Sequence, residues 1–279
     1  MIKLSKILTE EKLNILTQRR SKEERAKNYY ISIQKQIQEY IKNGSKGDLD
    51  LSGTPIESLP LDLKVGGRLI LNYTKIESLP QGLRVGGDLN LQHTQIESLP
   101  QGLEVGGNLI LTSTNIKELP QGLKVGGRLI LNYTKIESLP QGLTVGDSLE
   151  LQDTPIESLP QGLKVGGDLY LNSTNIKELP QGLLKVNGDL NLQHTQIESL
   201  PQGLKVDGNL NLNSTNIKEL PQGLIVRGSL GMVGTPIESL PQDLKVGGDL
   251  YLQHTPISKK YTKEEIKRMV AVVFGDISI

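Results

Sequence analysis

Cysteine is missing from this 279-residue sequence, and histidine occurs three times. Net charge is missing too, since 31 Lys and Arg stand against 31 Asp and Glu. Without cysteine there are no disulfides and no thiol chemistry. The opening stretch, Met1-Ile-Lys-Leu-Ser-Lys-Ile-Leu-Thr-Glu10, holds no apolar run long enough for a signal peptide or a membrane span. The expectation is a cytoplasmic product that does not enter a membrane.

The charge balance hides an uneven distribution. Residues 1–46 carry 11 Lys and Arg against 5 Glu, residues 259–279 carry 5 against 3, and the stretch between carries 15 against 23. A basic end on an acidic body leaves nucleic acid open as a partner. A solvated helical face accounts for the same charges more simply, so nucleic acid is not the expected partner.

What the sequence does have is repetition. Near-copies of Leu163-Lys-Val-Gly-Gly-Asp-Leu-Tyr-Leu-Asn-Ser-Thr-Asn-Ile-Lys-Glu-Leu-Pro-Gln-Gly182 run from residue 47 to 258, and a marker threonine recurs from Thr54 to Thr255. The step is 20 residues except once, at Leu183-Leu184-Lys185, where it is 21. A period of this length means a solenoid.

Within each copy Leu-x-Leu alternates with period two, as in Leu69-Ile-Leu71, so it is a short strand with one buried face. Identical repeats force successive strands to lie parallel, at about 4.8 Å per turn, giving a sheet about 50 Å long. The following Ile76-Glu-Ser-Leu-Pro80 suits an extended return path and argues against a helix there. Six apolar positions per turn (Leu69, Leu71, Ile76, Leu79, Leu83 and Val85 in the second) should fill one continuous core. The Gly-Gly pairs before each strand, such as 66–67 and 86–87, read as corners needing positive φ, with Asp147 and Arg227 the least comfortable substitutes.

The flanks read as lids. Glu10 and Glu11 follow a candidate N-cap at Thr9, and Ser21-Lys-Glu-Glu24 has the capping-box pattern of a second helix running to about Lys42. Tyr30, Ile33, Ile37 and Ile41 line one side of it. Thr262-Lys-Glu-Glu265 opens a last helix carrying Ile266, Met269, Val270 and Val273 toward Phe274 and Gly275. The ending Asp276-Ile-Ser-Ile279 adds an extended edge.

No arrangement for catalysis is legible. His93, His194 and His254 share one column, but five and three turns separate them, roughly 24 and 14 Å at the usual strand spacing. The Gly-Gly-Asp triplets lack the nine-residue period of calcium-binding repeats, and no Gly-Gly corner continues into a phosphate-binding loop. Neither a cofactor nor a metal is expected, and no enzyme.

The core Leu-x-Leu-x-x-Thr-x-Ile resembles the Leu-x-Leu-x-x-Asn-x-Leu unit of leucine-rich repeats, with threonine in the asparagine slot. The 20-residue length and the Leu-Pro resemble the short bacterial type, found in secreted effectors of pathogens and in phage-encoded proteins. The resemblance implies a mainly β solenoid: a right-handed superhelix of about 11 turns with one parallel β-sheet and helical caps at both ends. It implies a threonine ladder from turn to turn, less completely bonded than one of asparagine. It also adds virion association as a second expected location. The domain organisation is then a basic helical cap at 1–46, the repeats at 47–258 and a helical cap at 259–279.

Leucine-rich-repeat relatives commonly bind ligands on the sheet's solvent face. Most turns place Asp, Asn, Gln or Ser there; Arg68, Ile70, Tyr73, Ile110, Arg128, Ile130 and Tyr133 depart from that early in the array, and Tyr170 later. Aliphatics and tyrosines rimmed by arginine have the composition of an interaction patch. The expected function is a non-enzymatic scaffold binding another protein there. The alternatives are a structural subunit of a virus particle or larger assembly, and a repeat-only effector acting on host proteins.

Overall fold

The computed structural model describes the backbone of residues 10–279 and side chains from residue 18 onward. The repeats wind into a solenoid whose main sheet has 12 parallel strands, from Leu49–Asp50 to Ile277–Ser278. Each repeat contributes two strand residues, the first buried and the second facing out, in lateral register with its neighbours (Leu109↔Leu129, Ile110↔Ile130). Leu69, Leu71, Ile76, Leu79, Leu83 and Val85, and their equivalents along the array, form one core. The alternation in sequence thus places one leucine row inside and one variable row outside.

A second parallel ladder joins the residues just before each corner. It is not continuous. One sheet of 6 strands runs from Lys64–Val65 to Lys164–Val165, and another of 5 runs from Lys185–Val186 to Val272–Val273. The break falls at the single 21-residue step. The main sheet absorbs the extra residue, pairing Leu169 with Leu190, and the second ladder does not.

The corner glycines have a different cause from the one expected. None of the Gly-Gly pairs takes positive φ; the left-handed positions are elsewhere, at Gly82 and most of its equivalents and at the residue before each threonine, including Tyr73 (φ 60°) and His93 (φ 56°). At the Gly-Gly corners the stacked turns come too close for a side chain, whereas the corners at Asp147, Asn187, Asp207 and Arg227 admit one. A Cβ on Gly86 would overlap the carbonyl oxygen of Gly66 one turn below. Asp147 and Arg227 therefore meet no φ penalty.

The threonine column also differs. Each buried Thr Oγ1 donates within its own turn, Thr74 to the Leu71 carbonyl at 2.6 Å and Thr134 to Leu131 at 2.6 Å. It is a staple inside the turn, not a ladder between turns.

The N-terminal lid is one helix, α1 (Glu10–Lys42), and not two. Ser21 sits inside it, its hydroxyl donating to the Gln18 carbonyl at 2.9 Å, so the capping pattern goes unused; Thr9 lies outside the described residues. Ile33 and Ile37 are buried in the solenoid core, with Tyr40 packed against it, whereas Tyr30 and Ile41 are exposed. Gln36 Nε2 donates to the Asp50 carbonyl at 3.1 Å, and the Tyr40 hydroxyl lies 2.8 Å from the Ser45 carbonyl, so α1 also satisfies the first turn's free backbone.

At the other end Thr255 caps α2 (Pro256–Lys260), and Thr262 and Glu265 close the expected capping box on α3 (Lys263–Met269). This helix stops at Val270. Val272–Val273 then extends the second ladder and Ile277–Ser278 the main sheet, leaving Phe274 exposed between them. The end of the chain thus forms a last, degenerate turn in place of the longer helix expected.

Candidate functional site

The solvent face of the main sheet is organised in rows across the strands. The central row reads Ile70, Asn90, Ile110, Ile130, Glu150, Tyr170, each paired in register with the next. Ile70, Ile110, Ile130 and Tyr170 are half-buried by their neighbours. At about 4.8 Å per strand the row spans roughly 24 Å.

Tyr73 and Tyr133 flank this row at the left-handed position, which swings them clear of the sheet; they are 61% and 60% exposed. Tyr73 stacks on His93 of the next turn with ring centroids 4.8 Å apart. Tyrosine is enriched at protein interfaces relative to the rest of the surface.

The second flank is a side-chain ladder that the sequence did not announce. The residue after each corner accepts the backbone N–H of its counterpart one turn on: Asp88 Oδ1 from Asn108 at 2.7 Å, Asn108 Oδ1 from Arg128 at 2.8 Å. After an interruption it resumes at Ser148 and continues through Asp168, Asp189, Asn209, Ser229 and Asp249 to Asp276. Arg68 and Arg128 hold this position but have no acceptor, so no rung leads onward from either. The recurring Asp, Asn or Ser after each corner was the signal.

Neither arginine is a free cation. Arg68 donates Nη2 and Nε to Asp48 Oδ2 at 2.7 and 3.0 Å, and this hydrogen bonding holds the Asp48 carboxyl below its usual range. Arg128 donates to Glu150, whose other oxygen accepts from Asn132 Nδ2 at 2.9 Å. Glu150 is buried by these partners although it lies on the solvent face.

The Tyr170 hydroxyl donates to Asp168 Oδ2 at 3.1 Å; burial, reinforced by that carboxylate, pushes it up to about 12. Tyr251 repeats the arrangement with Asp249 at 3.0 Å. Of the eight expected site residues, Ile110, Arg128, Ile130 and Tyr133 fall on two neighbouring turns, Arg68, Ile70 and Tyr73 lie two turns before Ile110, and Tyr170 lies two turns after Ile130. Among the described residues no three His, Asp or Glu converge as a metal site, and no helix is long and apolar enough to cross a membrane.

No family profile and no curated protein matches the sequence. Solved structures do. The Toll–Spätzle complex of Drosophila shares 19% identity at a TM-score of 0.54 over 82% of this chain, which spans 39% of that one. The leucine-rich effector YopM of Yersinia pestis shares 17% identity at a TM-score of 0.46, covering 75% of this chain and 73% of that one. A leucine-rich-repeat protein of Leptospira interrogans shares 18% identity at 0.32, covering 83% and 95%. With its Leu-x-Leu strands, parallel register and 20-residue step, the chain is a leucine-rich-repeat solenoid of the short type.

Proposed function

We propose that this solenoid is a non-enzymatic scaffold that binds another protein across the solvent face of its main sheet. The observation that carries the reading is the contiguous Ile110–Ile130 pair with Tyr133 beside it. The arginine positions support it. Arg68 and Arg128 each replace a ladder hydrogen bond with an ion pair, which leaves a half-exposed guanidinium at the rim of the patch, and arginine is enriched at protein interfaces. A rigid preformed face also loses little entropy on docking. The Toll–Spätzle complex gives a precedent for protein recognition on this architecture.

The test is the double variant Ile130→Glu/Tyr133→Ala. Partner capture should fall at least tenfold, a difference of about 1.4 kcal/mol, while the melting temperature stays put. Unchanged capture would move the site elsewhere.

A second reading, a subunit of a larger assembly, is favoured by α1. Every side chain from Lys22 to Ser32 is exposed, a stretch of about 16 Å in which none is buried against the described residues. Light scattering over a hundredfold concentration range separates the two. A constant one-chain mass supports the scaffold, and a defined oligomer lost on deleting residues 1–32 supports the subunit.

A further inference from the structure

The single 21-residue step leaves an opening in the second ladder. At every other step of the second ladder the first corner residue donates its N–H to the valine carbonyl of the turn before, as Gly166 does to Val145 at 3.0 Å and Asp207 to Val186 at 2.9 Å. The second corner residue donates to its counterpart, as Gly208 does to Gly188 at 3.0 Å. Between turns 164–167 and 185–188 both bonds are missing. The Asn187 and Gly188 N–H groups, and the Val165 and Gly167 carbonyls, have no backbone partner; only the Asn187 amide side chain reaches Val165 O, at 3.5 Å.

Of these residues, Asn187 and Val165 border a cleft of about 610 Å³. Its walls are apolar: Val145, Leu163, Val165, Leu183, Leu184 and Val186 line it, and its floor reaches the core residue Leu169. Val165 and Leu183 are part-exposed where their counterparts in most turns are buried, and Leu184 is 51% exposed. Lys164 and Lys185 stand at the rim; Lys185 is tied to Asp207 at 2.9 Å, and Lys164 makes no ion pair among the described residues.

From this we infer that the cleft is a second binding site, for an extended peptide segment of a partner protein with an apolar anchor residue beside an acidic one. Three features select that chemistry. The Asn187 N–H has no backbone partner and the Val165 carbonyl has only the long Asn187 amide contact, and a peptide backbone offers an acceptor and a donor at once, as in strand addition to a sheet edge. The apolar walls take an aliphatic side chain. The unpaired Lys164 favours a carboxylate beside it. A purely aliphatic ligand would leave the backbone groups unanswered, which is costly when they are desolvated.

The variant that tests this lacks Leu184, restoring a 20-residue step that lets the two ladders join. A random heptapeptide display library is selected on the wild-type chain, and enriched peptides are titrated against both proteins with amide shifts followed by NMR. Expected are peptides with a central Leu, Ile or Val next to Asp or Glu. They should shift the Asn187 and Gly188 amides and bind the deletion variant at least tenfold more weakly. If that variant does not fold, Leu184→Glu, at a half-exposed position, takes its place with the same expectation. No enrichment, equal binding to the variant, or shifts confined to the main sheet would overturn the inference. So would binding of hexanoate at the cleft with no peptide binding. None of these results bears on capture through Ile130 and Tyr133.

Discussion

Arg128 donates to Glu150 across one turn of the solenoid, and Asn132 holds the other carboxylate oxygen at 2.9 Å, so that an acidic side chain lies buried at the centre of the exposed sheet face. The pair joins the aliphatic half of the central row to Tyr170. Arg128→Ala would leave a buried carboxylate with one partner. The expected cost is about 1–2 kcal/mol, below that of a fully buried pair because the Arg128 side chain is 43% exposed. Adding Glu150→Gln should recover part of the loss, since a neutral amide still accepts from Asn132. Thermal melts of the two variants check this; equal stability of the single and double variants would show that the charge carries no weight.

Two glycines four residues apart separate conformation from crowding. Gly102 has φ 71° and open space around its missing Cβ, so Gly102→Ala should cost about 1 kcal/mol of left-handed strain. Gly106 has ordinary φ, but a Cβ there overlaps the Gly86 carbonyl oxygen, and two stacked turns must part to admit it. Gly106→Ala should cost about 2–3 kcal/mol, as overpacking does. The order of the two melting temperatures decides the matter, and a reversal would return the corners to a conformational explanation.

The scaffold was legible in the sequence because Leu69, Leu71, Ile76, Leu79, Leu83 and Val85 recur at fixed positions, and a solenoid offers one way to bury them all. What stayed hidden lies between turns. Composition at Gly86 fits positive φ and close stacking equally well, and only the spacing of the turns distinguishes them. Thr74 has one hydroxyl proton, and a sequence does not say whether it points along its own turn or across to the next. The ladder from Ser148 to Asp276 was visible as a recurring polar residue, but its acceptors look like any solvated surface. Leu184 was visible as a change of period; that the main sheet would absorb it and the second ladder would not depends on which wall has slack. For the site, Ile110 and Ile130 could be placed by alternation alone; Tyr133 is in phase with the inward Leu129 and Leu131, and its left-handed φ of 58° turns it outward. The internal pairing of Arg68 and Arg128 could not, because it needs the side-chain reach from one turn to the next.

Tyr170 provides a pH signature for the face. Its hydroxyl is raised to about 12 by burial and by Asp168, from an unfolded value near 10. Because the folded chain keeps this proton longer, the contribution to stability is complete below pH 10 and is lost as pH rises from about 10 to about 12. An absorbance titration at the phenolate band should show a late component that Tyr170→Phe removes. If the variant keeps that component, Tyr170 is not its source, and it belongs to Tyr40 or Tyr251, which are also raised.

The lid on the first turn sets the last expectation. Ala26, Tyr30, Ile33, Ile37 and Tyr40 alternate by four and three along α1, so one stripe of the helix both seals the solenoid and runs beyond it. Ile33 and Ile37 belong to the core, while Tyr30 stands 39% exposed past its edge. An end turn buries its outward flank only through its cap, so losing the cap exposes core leucines beginning with Leu49 and Leu51. Ile37→Asp places an unpaired charge against them and should cost about 3 kcal/mol or more. Tyr30→Ala should leave the melting temperature unchanged. Should Tyr30→Ala instead destabilise the isolated chain, the overhanging part of α1 would be folded back onto the solenoid in solution, and the subunit reading would lose its free helix.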